Sequence, residues 1–107
     1  MSEIITTTGL EIPGKKIAKV VGIAKGNTIR ARHVGRDIGA GLKSLVGGEI
    51  KGYTQMTTQA REEAFNRMVN EAIEMKADAI IGIRFSTSMI MQGASEMLAY
   101  GTAVKLK

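Results

Sequence analysis

The sequence contains no cysteine, so it can form neither disulfide bonds nor thiolate metal ligands. The first ten residues also lack the basic segment and apolar run of a secretion signal. The longest apolar stretches, such as Val20–Ala24, fall far short of the ~20 residues that cross a bilayer. We therefore expect a cytoplasmic protein that is not inserted in a membrane.

Large anchoring side chains are also scarce, because tryptophan is absent and only 4% of the residues are aromatic. The core must be built from isoleucine, valine, alanine, leucine and methionine. There is one proline against 13 glycines, and many of the glycines fall inside stretches that resemble helices or strands. This placement indicates close backbone contacts rather than disorder. The length of 107 residues suits a single domain, residues 1–107.

The N-terminal third of the chain has the composition of two strands. The β-branched residues of Ile4–Thr8 predict a short strand, and Pro13-Gly14 predicts a turn. Lys16–Ala31 predicts a second strand, with Gly26-Asn27 as a candidate break. Gly22 inside this strand indicates a bulge or a close contact.

Two helices are predicted next along the chain. The first is short and glycine-rich, Val34–Leu45, and Gly47-Gly48 would end it. The second runs from about Thr54 or Thr57 to Lys76. Its apolar residues form two adjoining stripes, which together make a face wider than contact with one sheet requires, so a second packing partner is implied. The stripes are Met56-Ala60-Ala64-Met68-Ala72-Met75 and Phe65-Val69-Ile73.

The C-terminal third predicts a β-hairpin, with strands Asp78–Met91 and Glu96–Leu106 around a turn at residues 92–95. Alternation in the first strand sets Arg84, Ser86 and Ser88 against a largely apolar row on the other side. That row is Ile81, Ile83, Phe85, Thr87, Met89 and Met91. The order of elements predicts an α+β domain, an antiparallel sheet crossed by one long helix, with one sheet face uncovered.

Four stretches together resemble the YbjQ-like family, whose members are often labelled heavy-metal-binding proteins. They are Val21–Gly26; Arg36-Asp37 with Val46–Glu49 and Tyr53; Ala60–Ala64 with Ala77–Gly82; and Gly101–Val104. The resemblance implies a dodecin-like β-α-β-β subunit that assembles into a closed ring, typically a pentamer. The sequence departs from the family pattern in two places. Lys76 replaces the glycine that usually ends the long helix, and Ile83-Arg84-Phe85 replaces acidic residues on the following strand.

A basic run before the glycine-rich helix is the preferred binding site. Arg30, Arg32 and Arg36 could hold a phosphate or another anion through their guanidinium groups, and backbone N–H groups at Gly47 and Gly48 could contribute. A second interpretation stays open, in which these arginines form ion pairs between subunits. The candidate acidic partners are Asp37, Glu49 and Glu62.

Metal binding is weakly supported by the residues themselves. His33 is the only histidine, so it could hold a metal only where copies from several subunits converge. Met89 and Met91, with Met97 nearby, could form a thioether copper(I) site, but core packing is the preferred interpretation.

The formal net charge of +5 favours anionic partners in general. We do not expect nucleic-acid binding, because no clustered aromatic residues are available to stack bases. No nucleophile is paired with a base, so we do not expect an enzyme, and no motif identifies a cofactor. The sequence therefore predicts a homo-oligomeric module that binds a small ligand or anion. The alternatives are a heavy-metal-binding protein and a structural ring.

Overall fold

The computed structural model describes residues 3–31, 51–91 and 93–107. Within them lie one helix and four strands. These are β1 (Ile5–Thr6), β2 (Ile17–Ala31), α1 (Lys51–Glu74), β3 (Ala79–Met91) and β4 (Ala94–Leu106). The α+β class is as predicted, whereas the short helix predicted over Val34–Leu45 lies outside the described residues.

The four strands form one sheet in the order β1-β3-β4-β2. The predicted hairpin of β3 and β4 is confirmed, and β2 pairs with β4 in the antiparallel sense. β1 is parallel to β3, so the prediction of a wholly antiparallel sheet is wrong. The connection from β1 to β3 includes a helix and is long enough for the chain to return in the parallel direction.

β2 runs without interruption through Gly26-Asn27, so the candidate break there is wrong. Gly26 instead allows the backbone of β2 to contact the backbone of α1. A Cβ atom at this position would lie 2.7 Å from the carbonyl carbon of Arg67, because the backbone of α1 rests directly on the strand. The irregularity expected at Gly22 is confirmed, since the pairing with β4 shifts register between Val20 and Gly22.

α1 begins at Lys51, earlier than predicted, and its C-terminus closes in a Schellman motif. The N–H of Ala77 donates to the carbonyl of Ala72 at 3.0 Å, and the N–H of Lys76 donates to the carbonyl of Ile73 at 2.9 Å. Lys76 has φ of 63°, the left-handed conformation that glycine usually supplies at this position. The lysine noted in the sequence therefore occupies a strained capping position.

The first of the two predicted helix stripes forms the core with the sheet. Met68 is fully buried, and burial of such a side chain contributes about 1.5–3 kcal/mol to folding. The small residues beside it let the helix approach the strands closely. Those residues on α1 are Ala60, Ala64 and Ala72, and on the sheet Ala24, Ala99 and Ala103.

Gly82 reverses the alternation of side chains along β3. It has φ of 62°, and the pairing with β4 shifts register between Ile81 and Arg84. Ile83 therefore packs beneath α1, whereas Ile81 belongs to a second cluster that includes Ile5. The predicted row with Ile81 and Ile83 on one side of the strand is wrong, because an unpaired residue in a strand moves later side chains to the opposite face.

Candidate functional site

The distal half of β3 is not covered by the helix, because α1 packs mainly on β2 and β4. Phe85 is 46% exposed, and Met89 and Met91 are 73% and 63% exposed. Phe85 and Met89 lie on the helix side of the sheet, as in the predicted row, but the pairing with β4 becomes irregular between Met89 and Met91, so the alternation does not extend to Met91. Phe85 stacks on Phe65 of α1 but stays partly exposed, and the helix lies too far across the sheet to cover Met89 and Met91.

The same half of β3 has an unpaired backbone edge among the residues that the structure describes. β1 pairs with β3 only at Ala79 and Ile80, and the N-terminal segment makes its last backbone hydrogen bond from Ile83 N–H to Thr7 O at 3.1 Å. Beyond this point β4 is the only described strand that borders β3. We call Arg84–Met91 the free edge segment. Exposed apolar edges of this kind are templates for pairing with another chain.

The opposite edge of the sheet is blocked at its centre by side chains of α1. The Glu71 carboxylate accepts a hydrogen bond from the backbone N–H of Lys25 at 2.8 Å. The Arg67 guanidinium donates to the carbonyl of Asn27 at 2.7 Å. These two contacts satisfy outward-facing backbone groups of β2, which cannot then pair with another strand. The two edges of the sheet therefore differ in their capacity to bind a partner.

A polar network continues along the helix from this blocked edge. The hydroxyl of Thr28, a buried residue, donates to Glu63 at 2.9 Å, and Glu63 contacts Arg67 at 3.2 Å. Because Arg67 and Glu63 remain substantially exposed, their ion pair contributes little to stability. Its main effect is to hold the Arg67 guanidinium against β2.

The sheet face opposite α1 is uncovered by any described element along much of its length. Four exposed side chains give it an apolar surface, interrupted by a hydrogen bond from Asn27 to Glu96 at 3.1 Å. An uncovered face was predicted from the sequence. Exposed apolar side chains that adjoin on one surface can mark an interaction site. The four residues are Val20, Ile23, Ile29 and Tyr100.

The side chains of the second helix stripe are only partly buried within the subunit. Phe65 stacks on Phe85 with ring centroids 6.5 Å apart and planes at 16°. Val69 is half-buried, and Ile73 is 45% exposed. This stripe thus offers a second apolar surface, adjoining the core contact.

A groove between the start of α1 and the hairpin is the best-formed concavity in the described part of the chain. It has a volume of about 80 Å³, and pockets for organic ligands usually enclose roughly 300–1,000 Å³. The groove is therefore too small to be an organic cofactor site. Its lining includes Met56, Thr57 and Ala60 of α1, Thr87 of β3, and Met97 of β4.

Of the predicted anion-binding residues, only Arg30 lies in the described chain. It is the penultimate residue of β2, with its Cα opposite that of Ser95 in β4. The remaining predicted residues lie outside the described residues, and the anion site stays a prediction. They are Arg32, Arg36, Gly47 and Gly48, together with the candidate metal ligand His33.

Within residues 3–31, 51–91 and 93–107, no three histidine, cysteine or acidic side chains form a group that could hold a metal ion. Met97 is buried in the core, as the packing interpretation predicted. For Met89 and Met91 that interpretation is wrong within the subunit, since both are exposed, and the strand pairing is irregular between them.

No helix in the described part of the chain is long and apolar enough to cross a membrane.

The sequence profile of a family described as YbjQ, "Putative heavy-metal-binding", matches residues 4–107. The chain belongs to the YbjQ family. A UPF0145 protein from Psychromonas ingrahamii is 59% identical over 104 residues, covering 97% of this chain and 99% of the relative. A YbjQ-type relative from Archaeoglobus fulgidus, also named UPF0145 protein, is 55% identical and covers 98% of this chain and 97% of its own length.

A solved structure has the same fold as this YbjQ chain. It is a protein of unknown function from Pediococcus pentosaceus, described as a member of the DUF74 family. The TM-score is 0.67 at 18% identity, covering 97% of this chain and 98% of the other. The recognition of the family from four short stretches of sequence is thus confirmed. These relatives are described without an established activity.

Proposed function

We propose that this YbjQ protein functions as a homo-oligomeric ring, a pentamer, that binds a small anion and is not an enzyme. The free edge segment carries the oligomer part of the proposal, because among the described residues it combines an unpaired strand edge with exposed apolar side chains. Phe85 and Met89 lie towards the helix side, and Ile90 and Met91 are 53% and 63% exposed. The partner that we propose for this segment is a second copy of the chain.

Two different surfaces are needed for subunits to join head to tail in a closed ring. The free edge segment is one surface. The exposed end of the second helix stripe, at Val69 and Ile73, is the other surface that we propose.

Native mass spectrometry tests the oligomer directly. Wild-type protein should give a ring of about five subunits, and Ile90→Lys should shift the population to monomers, because a buried unpaired ammonium opposes association. Asn70→Lys adds the same charge at an exposed polar position of α1 and should leave the ring intact. A wild-type monomer, or equal assembly of Ile90→Lys and wild type, would refute the proposed interface.

Anion binding is proposed at Arg30, Arg32 and Arg36, with backbone N–H groups of Gly47 and Gly48. Arg30 lies at the end of β2 that pairs with the hairpin tip, and β4 separates it from the free edge segment of β3. Guanidinium groups suit phosphate because they donate paired hydrogen bonds.

Thermal unfolding across a panel of anions tests this site. Phosphate at a hundred times its dissociation constant should stabilise the protein by about 2.7 kcal/mol, and Arg30→Ala or Arg36→Ala should remove the effect. Arg61→Ala, on the exposed side of α1, is the matched control. An unchanged melting temperature across the whole panel would contradict the proposed anion site.

The family description supplies a second candidate, heavy-metal binding through His33 of several subunits. Purified protein would then retain metal in a fixed ratio to subunits, and His33→Ala would release it. A structural ring that binds another protein is the third candidate. It requires an apolar patch that remains exposed after assembly, and the sheet face with Ile23, Ile29 and Tyr100 is where that patch would lie.

A further inference from the structure

Five lysines gather at the end of the sheet where β2 begins and β4 finishes. Three lie in or just before β2, and two lie at the end of β4 or directly after it. We call these residues the lysine cluster. They are Lys15, Lys16, Lys19, Lys105 and Lys107.

Strand pairing brings the cluster together from opposite ends of the sequence. The Cα atoms of Lys19 and Lys105 are direct partners in the β2–β4 ladder. The backbone N–H of Lys107 donates to the carbonyl of Lys16 at 2.9 Å, which sets a second pair of lysines side by side. Side chains directly opposite on antiparallel strands have Cβ atoms about 4.5–5.5 Å apart, and like charges in that position destabilise the sheet. The fold therefore concentrates positive charge at an energetic cost.

No acidic side chain in the described part of the chain forms an ion pair with the cluster. Asp78, which is near the end of β4, accepts a hydrogen bond from the backbone N–H of Leu106 at 2.9 Å. Other carboxylates contact β2 further along, Glu71 at Lys25 and Glu96 at Asn27. The Asp78 carboxylate is thus the nearby negative charge, and none of the five lysines is held in an ion pair within the described residues.

The end of α1 does not account for the cluster either. A helix C-terminus carries roughly half a negative charge and attracts cations. Here the carbonyls of Ala72 and Ile73 are already capped by the chain that follows, and Lys76 stands at that end itself. Half a charge is small beside five ammonium groups.

We infer that the lysine cluster is a binding site for a small anion that carries several phosphate groups in a row. Ammonium groups act as point charges without a fixed fork, so they suit a flexible, multiply charged ligand better than a single planar carboxylate. The site is separate from the arginine run, because β2 has 15 residues and ~3.3 Å per residue sets its ends far apart. It depends neither on the ring nor on the anion site of the proposed function.

Isothermal titration calorimetry of the full chain with inorganic tripolyphosphate tests the inference. We expect saturable binding at low salt that weakens as the salt concentration rises, with orthophosphate binding at least about tenfold more weakly because it offers fewer charges. Lys19→Gln with Lys105→Gln should weaken tripolyphosphate binding at least about tenfold. Lys25→Gln with Arg61→Gln removes the same charge from exposed positions elsewhere and should change the affinity less than about twofold.

Three results would overturn the inference. They are no saturable binding of tripolyphosphate, equal weakening in the two double variants, and loss of binding in Arg30→Ala with Arg36→Ala but not in the lysine variant. The last result would assign the ligand to the arginine run. Circular dichroism of each variant establishes that it is folded, and substitution of Lys19 alone serves if the double variant unfolds.

Discussion

The Glu71 carboxylate of α1 accepts a hydrogen bond from the backbone N–H of Lys25 at 2.8 Å, across 46 residues of sequence. This contact blocks the edge of β2 at the point where a neighbouring strand could bind. The free edge segment of β3 has no equivalent among the described residues. The direction in which the sheet can add another chain is therefore set by side chains of the helix.

Glu71→Ala should leave the Lys25 N–H without its acceptor. We expect the free energy of unfolding to fall by about 1 kcal/mol, the typical net value of one hydrogen bond. Exchange of the Lys25 amide with solvent, measured by NMR, should be faster than in the wild type. Glu71→Gln keeps a carbonyl acceptor and should retain most of the protection. Equal exchange rates in Glu71→Ala and the wild type would contradict the edge-blocking role.

Gly26→Ala should destabilise the domain by about 3 kcal/mol or more, because the new methyl group meets helix backbone that cannot move aside. Gly22→Ala is the matched control in the same strand. A Cβ there would lie 3.7 Å from the flexible end of Met75, which is ordinary contact. Urea unfolding of both variants measures the difference. Similar stability of the two would show that the helix is not seated on Gly26.

Lys76→Gly should stabilise the domain by about 1 kcal/mol. The left-handed conformation at φ of 63° costs a residue with a side chain roughly 1–2 kcal/mol, and glycine adopts it without that cost. Lys76→Ala removes the charge but keeps the Cβ atom, so it should bring no comparable gain. Thermal unfolding distinguishes the two, and a stabilising alanine variant would mean that the lysine charge, not the backbone, causes the strain.

Lys105→Glu should stabilise the ligand-free protein by about 0.2–1 kcal/mol, because it replaces a like-charge pair with an opposite-charge pair across from Lys19. The gain should shrink at high salt, where exposed charges are screened. Urea unfolding at low and high ionic strength measures it. Lys25→Glu, opposite Tyr100, is the control and should give a smaller change. Loss of stability in Lys105→Glu at low salt would argue against repulsion in the cluster.

Much of the secondary structure could be predicted from sequence because its signals are local. The long helix follows from an apolar repeat at helical spacing, and the hairpin follows from alternation on both sides of a turn. The sequence also signalled the bulge at Gly22 and the uncovered sheet face. Errors came where one residue has two possible roles. The residue type of Gly26 predicts a break although the glycine permits close packing, and no local pattern marks Gly82 as the point where β3 reverses its faces.

The candidate interaction sites were harder to predict because they depend on where elements lie relative to one another. Phe85, Met89 and Met91 follow a core pattern, but the helix packs across β2 and β4 and leaves them exposed. The sequence shows two separate groups of lysines, one at Lys15, Lys16 and Lys19 and one at Lys105 and Lys107. Only strand pairing joins those two groups, since more than 80 residues separate them in sequence.

The sequence by itself determined the family, the α+β class, the long helix and the hairpin, because local spacing and short motifs encode them. The tertiary structure decided three features that no local pattern contains. It set β1 parallel to β3, blocked one sheet edge with Glu71 and Arg67, and brought Lys19 opposite Lys105. Each of these features arises from contacts between residues that are distant in sequence. The packing of the helix on the sheet and the register of the strands determine which residues meet.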